Sequence, residues 1–492
     1  MQHLDWLAQH LHALGQSPQN QGQGLAQRLA LGLRQGMQAR IWRRGQALPS
    51  SRAMAQALGL ARNTVNAALA QLEAEGYVQG RAGSGTYVRM TAPIVRPRAR
   101  SEPPLQGLPS QRGQALLAAP AAHALEVQPM TQGLPDFSLF PMAVWQRLLH
   151  KHGRLPHADR LDGHDTGGFG PLKRAIATHL RMQRGLQIED EQVLVTRGTQ
   201  QSLALCAALL ADAGDAVWTE DPLHWGAAQT FRAAGLTLLG LPVDEQGLRP
   251  GAPLPARVPP LLYLTPSHQY PTGAQMSAAR RRALLAWLRP LPTWVLEDDD
   301  DSEFCFAGAP LPALHRLDGQ ARVFYLGTFS KTLYPGIELA YLVVPPSWVA
   351  AFGRMHDALH RSGQWQQQAA LAEFIEMGHY HATLRAARQQ HALRRQTVVA
   401  ALAPCVDAGA RLSGAEQGLH LCLHLPAALS DVALAQRAAE QGLRVRPLSA
   451  YALQRRDLSG LVVGHGHTPL AALARDAPRL ARLVRAALLA RR

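Results

Sequence analysis

Lysine is almost missing from this chain. Of 50 basic residues among 492, only Lys151, Lys173 and Lys331 are lysines, so positive charge is otherwise written as arginine. A lysine kept in such a background is not needed for charge alone. Its amine can lose a proton and condense with a carbonyl, which a guanidinium cannot do. Cysteine is scarce as well: Cys206, Cys305, Cys405 and Cys422 stand far apart and form no CxxC pair. That argues against a disulfide framework or a structural zinc site, and a reducing cytoplasm is the simple inference. No run of about 18 uncharged apolar residues occurs, so no membrane span is expected. The opening MQHLDWLAQHLHALG sets Asp5, His10 and His12 within an apolar pattern of Leu4, Leu7, Leu11 and Leu14. This is an amphipathic helix; a signal peptide would have a basic start and an unbroken apolar core.

What is present is apolar residues at 47% and a formal charge of +15. The chain is therefore globular and long enough for two or three domains, each with its own core. The charge is unevenly placed. Residues 1 to 112 hold thirteen Arg against Asp5, Glu73, Glu75 and Glu102, a net +9 from less than a quarter of the length. Such a segment suits a polyanion. Within it, Leu25, Leu29, Leu33 and Met37 mark one helix face, and Pro49-Ser50-Ser51 opens a short helix, about 51 to 58, closed by Gly59. A second helix begins near Ala61, buries Val65, Ala68, Leu69 and Leu72, and ends before Gly76. Two short helices across a glycine-containing turn form a helix-turn-helix, whose second helix enters the major groove of double-stranded DNA N-terminus first. Arg62, Asn63 and Thr64 fall on that leading turn. Tyr77-Val78, a turn at Arg81 to Gly85, and Thr86-Tyr87-Val88 read as a β-hairpin wing.

The stretch GQALPSSRAMAQALGLARNTVNAALAQLEAEGYVQGRAGSGTYV resembles the winged helix of GntR-type transcription regulators. The resemblance implies DNA contacts from Arg52, Arg62, Asn63, Thr64 and the wing residues Gly83, Ser84, Gly85 and Thr86. One departure is Ala61, where the family usually has a Ser capping the recognition helix; the loss costs about 1 kcal/mol of local stability. Residues 1–90 are thus expected to be a winged helix-turn-helix domain. A Pro- and Arg-rich linker is expected over 91–128, since TAPIVRPRARSEPPLQGLPSQRG has five prolines and no helical period.

From residue 129 the pattern changes. EQVLVT, AVWTED, LLYLTP, TWVLEDD, RVFYLGT and LAYLVVP are short β-rich runs separated by helices, which argues for an α/β sheet with crossover helices. Ligands collect at the C-terminal ends of such strands. Three loops there carry suitable chemistry. Gly198, Thr199 and Gln200 open a helix whose N–H groups and dipole suit a phosphate; VLEDDDDSEF places four Asp directly after a strand; GTFSK sets the Thr328 and Ser330 hydroxyls beside Lys331. A phosphate cradle, a strand-end carboxylate and a lysine are together what pyridoxal 5'-phosphate (PLP) requires.

TRGTQQ, EDP, TPSHQYPTG, EDD and GTFSKTLYP look like the fold-type I aminotransferase domain of MocR-type regulators, a GntR subfamily. The resemblance implies a large αβα domain with a mostly parallel sheet and a small C-terminal α+β domain over 129–492. It further implies a head-to-tail homodimer with PLP on Lys331, Asp298 at the pyridine nitrogen, and Tyr270 among the cofactor contacts. Transcription would be controlled by a small-molecule effector, an amine or amino acid. The sequence departs from that pattern at four places. Glu338 replaces the Arg that binds the cofactor phosphate. Asp300 replaces the Tyr of EDDYD. His224 stands where an aromatic ring stacks on the cofactor. Leu458 and Ser459 precede GLVVGHGH where an Arg usually grips a substrate carboxylate, with Arg455 and Arg456 a few residues early. Weakened PLP binding and poor transamination follow as expectations. Two other readings fit the residues: a working PLP-dependent aminotransferase, and a regulator whose altered pocket reads another ligand. Among the 21 His, the i, i+2 pairs His379/His381 and His465/His467 would share a strand face, but no third ligand stands at a recognisable spacing, so no metal is expected.

Overall fold

The structure, a computed structural model, describes residues 2–16, 22–81, 84–89, 109–118, 127–154, 165–251, 253–306, 308, 310–361 and 363–490. It divides into two compact units, Met1–Leu108 and Pro109–Arg492.

Among the described residues, the first unit has four helices, α1 (Gln2–Gln16), α2 (Leu25–Gln38), α3 (Ser51–Leu58) and α4 (Arg62–Ala74), followed by the strands β1 (Val78–Arg81) and β2 (Gly85–Val88). Local signals set these boundaries. The Ser50 hydroxyl accepts from the Ala53 amide at 3.2 Å to cap α3, and Gly59 ends that helix at φ +64°, the left-handed region glycine tolerates. The antiparallel wing pairs Val78 with Val88 and Arg81 with Gly85. Leu29, Leu33, Met37, Met54, Val65, Ala68, Leu72, Val78 and Val88 close one core. Leu25, at the first position of α2, lies beyond this packed face and is half exposed. No side chain caps α4 at Ala61. Ala61→Ser should therefore stabilise this unit by about 1 kcal/mol, read as a higher denaturation midpoint; an unchanged midpoint would mean that water already satisfies those amides.

In the second unit, β3 (Val193–Thr196), β4 (Ala216–Asp221), β5 (Thr237–Asp244), β6 (Gly247–Leu248), β7 (Leu261–Leu264), β8 (Trp294–Asp298), β9 (Val323–Thr328) and β10 (Ala340–Val343) form one sheet. Their order is β3-β10-β9-β8-β7-β4-β5-β6. The central five, β9-β8-β7-β4-β5, are parallel, and β10 runs antiparallel to both its neighbours. Alternate residues feed opposite cores. Val193, Val195, Tyr325, Tyr341 and Val343 face one cluster, and Leu194, Phe324, Leu326 and Leu342 the other. A sheet apolar on both faces must be covered on both. Helices α5 (Gln111–Ala118), α6 (Met142–His152), α7 (Gly170–Arg184), α8 (Thr199–Leu210), α9 (Trp225–Ala233), α10 (Ala278–Leu288), α11 (Leu314–Leu317), α12 (Val349–Leu359) and α13 (Trp365–Glu376) accompany it. A smaller lobe follows: the antiparallel strands β11 (Arg411–Ser413), β12 (His420–His424), β13 (Arg446–Pro447) and β14 (Gly460–Gly464), with α14 (His379–Asp407), α15 (Asp431–Glu440) and α16 (Leu470–Leu489).

All six β-rich runs of the sequence are strands of the large sheet. The expected linker differs: most of 91–128 lies outside the described residues, but α5 forms within it and packs on α9, so the body begins at Pro109. His379 and His381 open helix α14, and His465 and His467 follow the end of β14, so neither pair shares a strand face.

Candidate functional site

The carboxyl ends of β3, β8 and β9 converge on a cavity of about 460 Å³. Its lining includes Gly198, Thr199 and Gln200 at the start of α8, Asp298 and Asp300 after β8, and Thr328, Ser330 and Lys331 after β9. His224 and Tyr270 complete it. Every cofactor residue named from the sequence thus lies on one cavity. Gly198 provides no side-chain cap to α8, and the first amides of a helix have no intrahelical acceptor, so this end is an electropositive seat for an anion.

Four consecutive aspartates have four different surroundings. Asp298 accepts from Tyr263 OH at 2.8 Å through Oδ2, while its buried Oδ1 has no partner among the described residues. Burial, then the neighbouring Asp300, push the Asp298 carboxyl well above its ordinary pKa. Asp299 is held by Arg184 at 2.8 Å and by Tyr325. Burial alone would raise its pKa, but these partners bring it below the usual value. Asp300 faces the cavity 3.8 Å from Lys331 Nζ, and burial together with Asp301 lifts it to about 6 against the opposing pull of Lys331 and His268. Asp301 turns away to His268, 3.0 Å from Nδ1.

Lys331 Nζ donates to the Gly133 carbonyl at 3.0 Å. Gly133 has φ +71°, and a Cβ there would stand 2.7 Å from that nitrogen, so only glycine leaves the amine its place. Sequence reasoning missed Gly133 because it lies far from GTFSK in the chain. The His224 and Tyr270 rings meet edge to face with centroids 5.1 Å apart, and Tyr270 OH is 3.0 Å from Tyr451 OH. Burial, reinforced by Lys331 and Arg446, holds His224 down to about 3, so its ring is neutral. Asp221, of EDP, has another duty: its carboxylate accepts from the Leu453, Gln454 and Arg455 amides and ties β4 to the small lobe.

In the first unit, Arg52, Arg62 and Asn63 are exposed and Thr64 partly so, all at the start of α3 or α4. Arg62 Nε lies 3.4 Å from Ser51 Oγ. In the wing, Ser84 Oγ meets Tyr87 OH at 3.0 Å, Gly85 turns at φ +103°, and Thr86 is half-buried. Gly83 lies outside the described residues.

Residues 25–88 match the family model for bacterial regulatory proteins of the gntR family, and residues 151–459 match aminotransferase class I and II. The chain is 36% identical to a Rhizobium meliloti protein named "Probable rhizopine catabolism regulatory protein MocR", over 85% of each chain. It is 34% identical to the HTH-type transcriptional regulator TauR of Rhodobacter capsulatus, over 87% of this chain and 89% of that one. The chain is a GntR-family transcription regulator of the MocR type. Among solved structures, the body is similar to Thermus thermophilus LysN, an α-aminoadipate aminotransferase complexed with N-(5'-phosphopyridoxyl)-L-leucine. The TM-score is 0.66 at 27% identity, covering 78% of this chain and 96% of LysN. PLP is the cofactor of this fold, and the unpartnered Asp298 Oδ1 and uncapped start of α8 fit it.

This MocR-type body also shows how its altered positions behave. Glu338 sits at the rim with φ +47°, 3.6 Å from Arg197, and both side chains are more than half exposed. Such a pair is worth roughly 0–1 kcal/mol, yet it engages Arg197, which lines the cavity next to Gly198. Glu338→Gln should free Arg197 and tighten PLP binding about tenfold, or ~1.4 kcal/mol; an unchanged dissociation constant would show that Arg197 does not reach the phosphate. Arg455 binds Asp457 at 2.9 Å and the Val243 carbonyl, away from the cavity. Arg446, on β13, is paired in register with Val462, and its charge opposes the rise that burial causes at Tyr451. Its charge is felt at Tyr270 and His224. Just before β14, where the sequence pattern leads one to expect an Arg, stand Leu458 and Ser459, and Arg446 lies on the adjacent strand.

Proposed function

We propose that this regulator binds operator DNA through Arg52, Arg62, Asn63, Thr64 and its wing, and that its body senses a small amine bearing a carboxylate. The reading rests on one observation: an amine, an acceptor lacking a donor and a free helix start line the same cavity. Bound there, PLP supplies an electrophilic aldehyde and an electron-withdrawing ring. Lys331 would hold it at the aldehyde, Asp298 Oδ1 at the ring nitrogen, and the Gly198–Gln200 amides with the Thr328 and Ser330 hydroxyls at the phosphate. Neutral His224 packs against the ring. Asp300, 3.8 Å from Lys331 Nζ, would receive or return a proton at that nitrogen. Arg446 draws the effector's carboxylate toward Tyr270 and Tyr451. The chain works as a cytoplasmic homodimer, and the effector acts by binding two body conformations unequally.

An operator-binding titration at several salt concentrations tests this. Arg62→Ala should weaken binding about tenfold and lower the salt slope by roughly one counterion. With PLP present, an α-amino acid should shift operator affinity in the wild type, and Arg446→Gln should remove that response. Operator affinity indifferent to every amine with PLP bound would favour a body without sensing. Sustained turnover of an amino acid would favour the aminotransferase reading.

A further inference from the structure

Behind the cofactor cavity, where the two lobes of the body meet, lies a group of buried histidines that the proposed function does not use. His268 follows β7 and Asp301 follows β8 in the large lobe; His420 is on β12 of the small lobe, and His465 follows β14. All four are less than one-tenth exposed. One donor atom each from His268, Asp301 and His420 lies within 4.8 Å of the others. The two imidazole rings stand 4.4 Å apart between centroids.

The carboxylate beside His268 sets the tautomer of that ring. His268 Nδ1 faces the Asp301 carboxylate at 3.0 Å, so Nδ1 carries the hydrogen and Nε2 keeps its lone pair. The Nε2 atoms of His268 and His420 are buried without a partner among the described residues, and neither ring nitrogen of His465 has one. Basic nitrogens gathered in a dry interior without a donor are costly unless something electropositive joins them. A ring oriented by a carboxylate or carbonyl on its far nitrogen is the arrangement in which histidines ligate metals. The backbone packs closely on this pair: a Cβ on Gly418, at φ +78°, would stand 2.1 Å from His268 Nδ1 and 2.6 Å from Asp301 Oδ2.

We propose that His268 and His420, with His465 beside them and Asp301 orienting His268 from its far nitrogen, bind one divalent transition-metal ion of borderline softness, zinc by its ligand set, which pins the large lobe to the small one. Imidazole nitrogens suit zinc, nickel or cobalt and not calcium or magnesium. The ligands come from separate loops and strands, so no spacing in the sequence announces them, and the sequence expectation of no metal is revised here. The ion would steady Tyr270, whose ring lies 4.9 Å from that of His420, but would bind whether or not PLP is present.

The test uses the full-length chain, PLP-free and stripped with a chelator, titrated with cobalt(II) and then zinc(II). The expected result is one cobalt per chain with a visible ligand-field band, displacement by zinc, and a higher unfolding temperature with zinc. His268→Gln and His420→Gln should each weaken zinc binding at least a hundredfold, while His150→Gln, at an exposed position on α6, should not. Because the two cluster variants could misfold, the anomalous scattering of zinc-soaked wild-type crystals locates the ion directly. No stoichiometric metal at micromolar concentration, or zinc found elsewhere than between His268 and His420, would overturn the proposal.

Discussion

Asp298→Asn should raise the dissociation constant for PLP about a hundredfold, some 2.7 kcal/mol, in an absorbance titration of the full-length chain. Asp298 Oδ2 is occupied by Tyr263, so Oδ1 is the one atom of this carboxylate left to accept from the cofactor ring. It is buried and, without a donor, holds its proton well above the ordinary carboxylate range because of burial and Asp300. A protonated ring nitrogen reverses that preference by offering both a donor and a positive charge, and hydrogen bonds to charged groups contribute about 1.5–3 kcal/mol net. Asparagine keeps the shape and removes the charge. Operator binding by the PLP-free variant should stay at wild-type strength, which separates a cofactor defect from misfolding. A change below threefold would mean that the ring nitrogen lies elsewhere.

Much of this site was legible because its signals are local. The order of TRGTQQ, EDD and GTFSK along the chain follows the strand ends that carry them, and a strand followed by a polar loop is readable without knowing its neighbours. The helix-turn-helix was legible for the same reason: Ser50 and Gly59 are boundary residues whose effect reaches only a few positions. What escaped was non-local. Strand β5 contains Gly240 and Pro242, which read as breakers. It forms because β6 pairs only with Val243 and Asp244, so Pro242 loses no ladder bond on that side, and a Cβ on Gly240 would stand 2.8 Å from that of Asp221. Gly133, Arg446 and the His268–His420 pair matter only for what the fold brings next to them, and nothing in their own sequence windows marks them. The aspartate run shows both sides: its position predicted a ligand-facing carboxylate, but which residue met the pocket, Arg184 or His268 depended on the backbone direction after β8.

The second large effect concerns the amine. Lys331 is the one lysine lining the cavity; it is held by the Gly133 carbonyl and lies near Asp300, placed to bond a carbonyl carbon. Lys331→Ala should abolish covalent PLP attachment while leaving weak binding through Asp298 and the start of α8. The most direct test is the visible spectrum of the purified full-length chain with added PLP, before and after borohydride reduction, for wild type and Lys331→Ala. The account predicts a shifted absorption band in the wild type, fixed by reduction onto the peptide containing residue 331, and only the spectrum of free PLP in the variant. The same band in both proteins, or reduction onto Lys151 or Lys173, would contradict it.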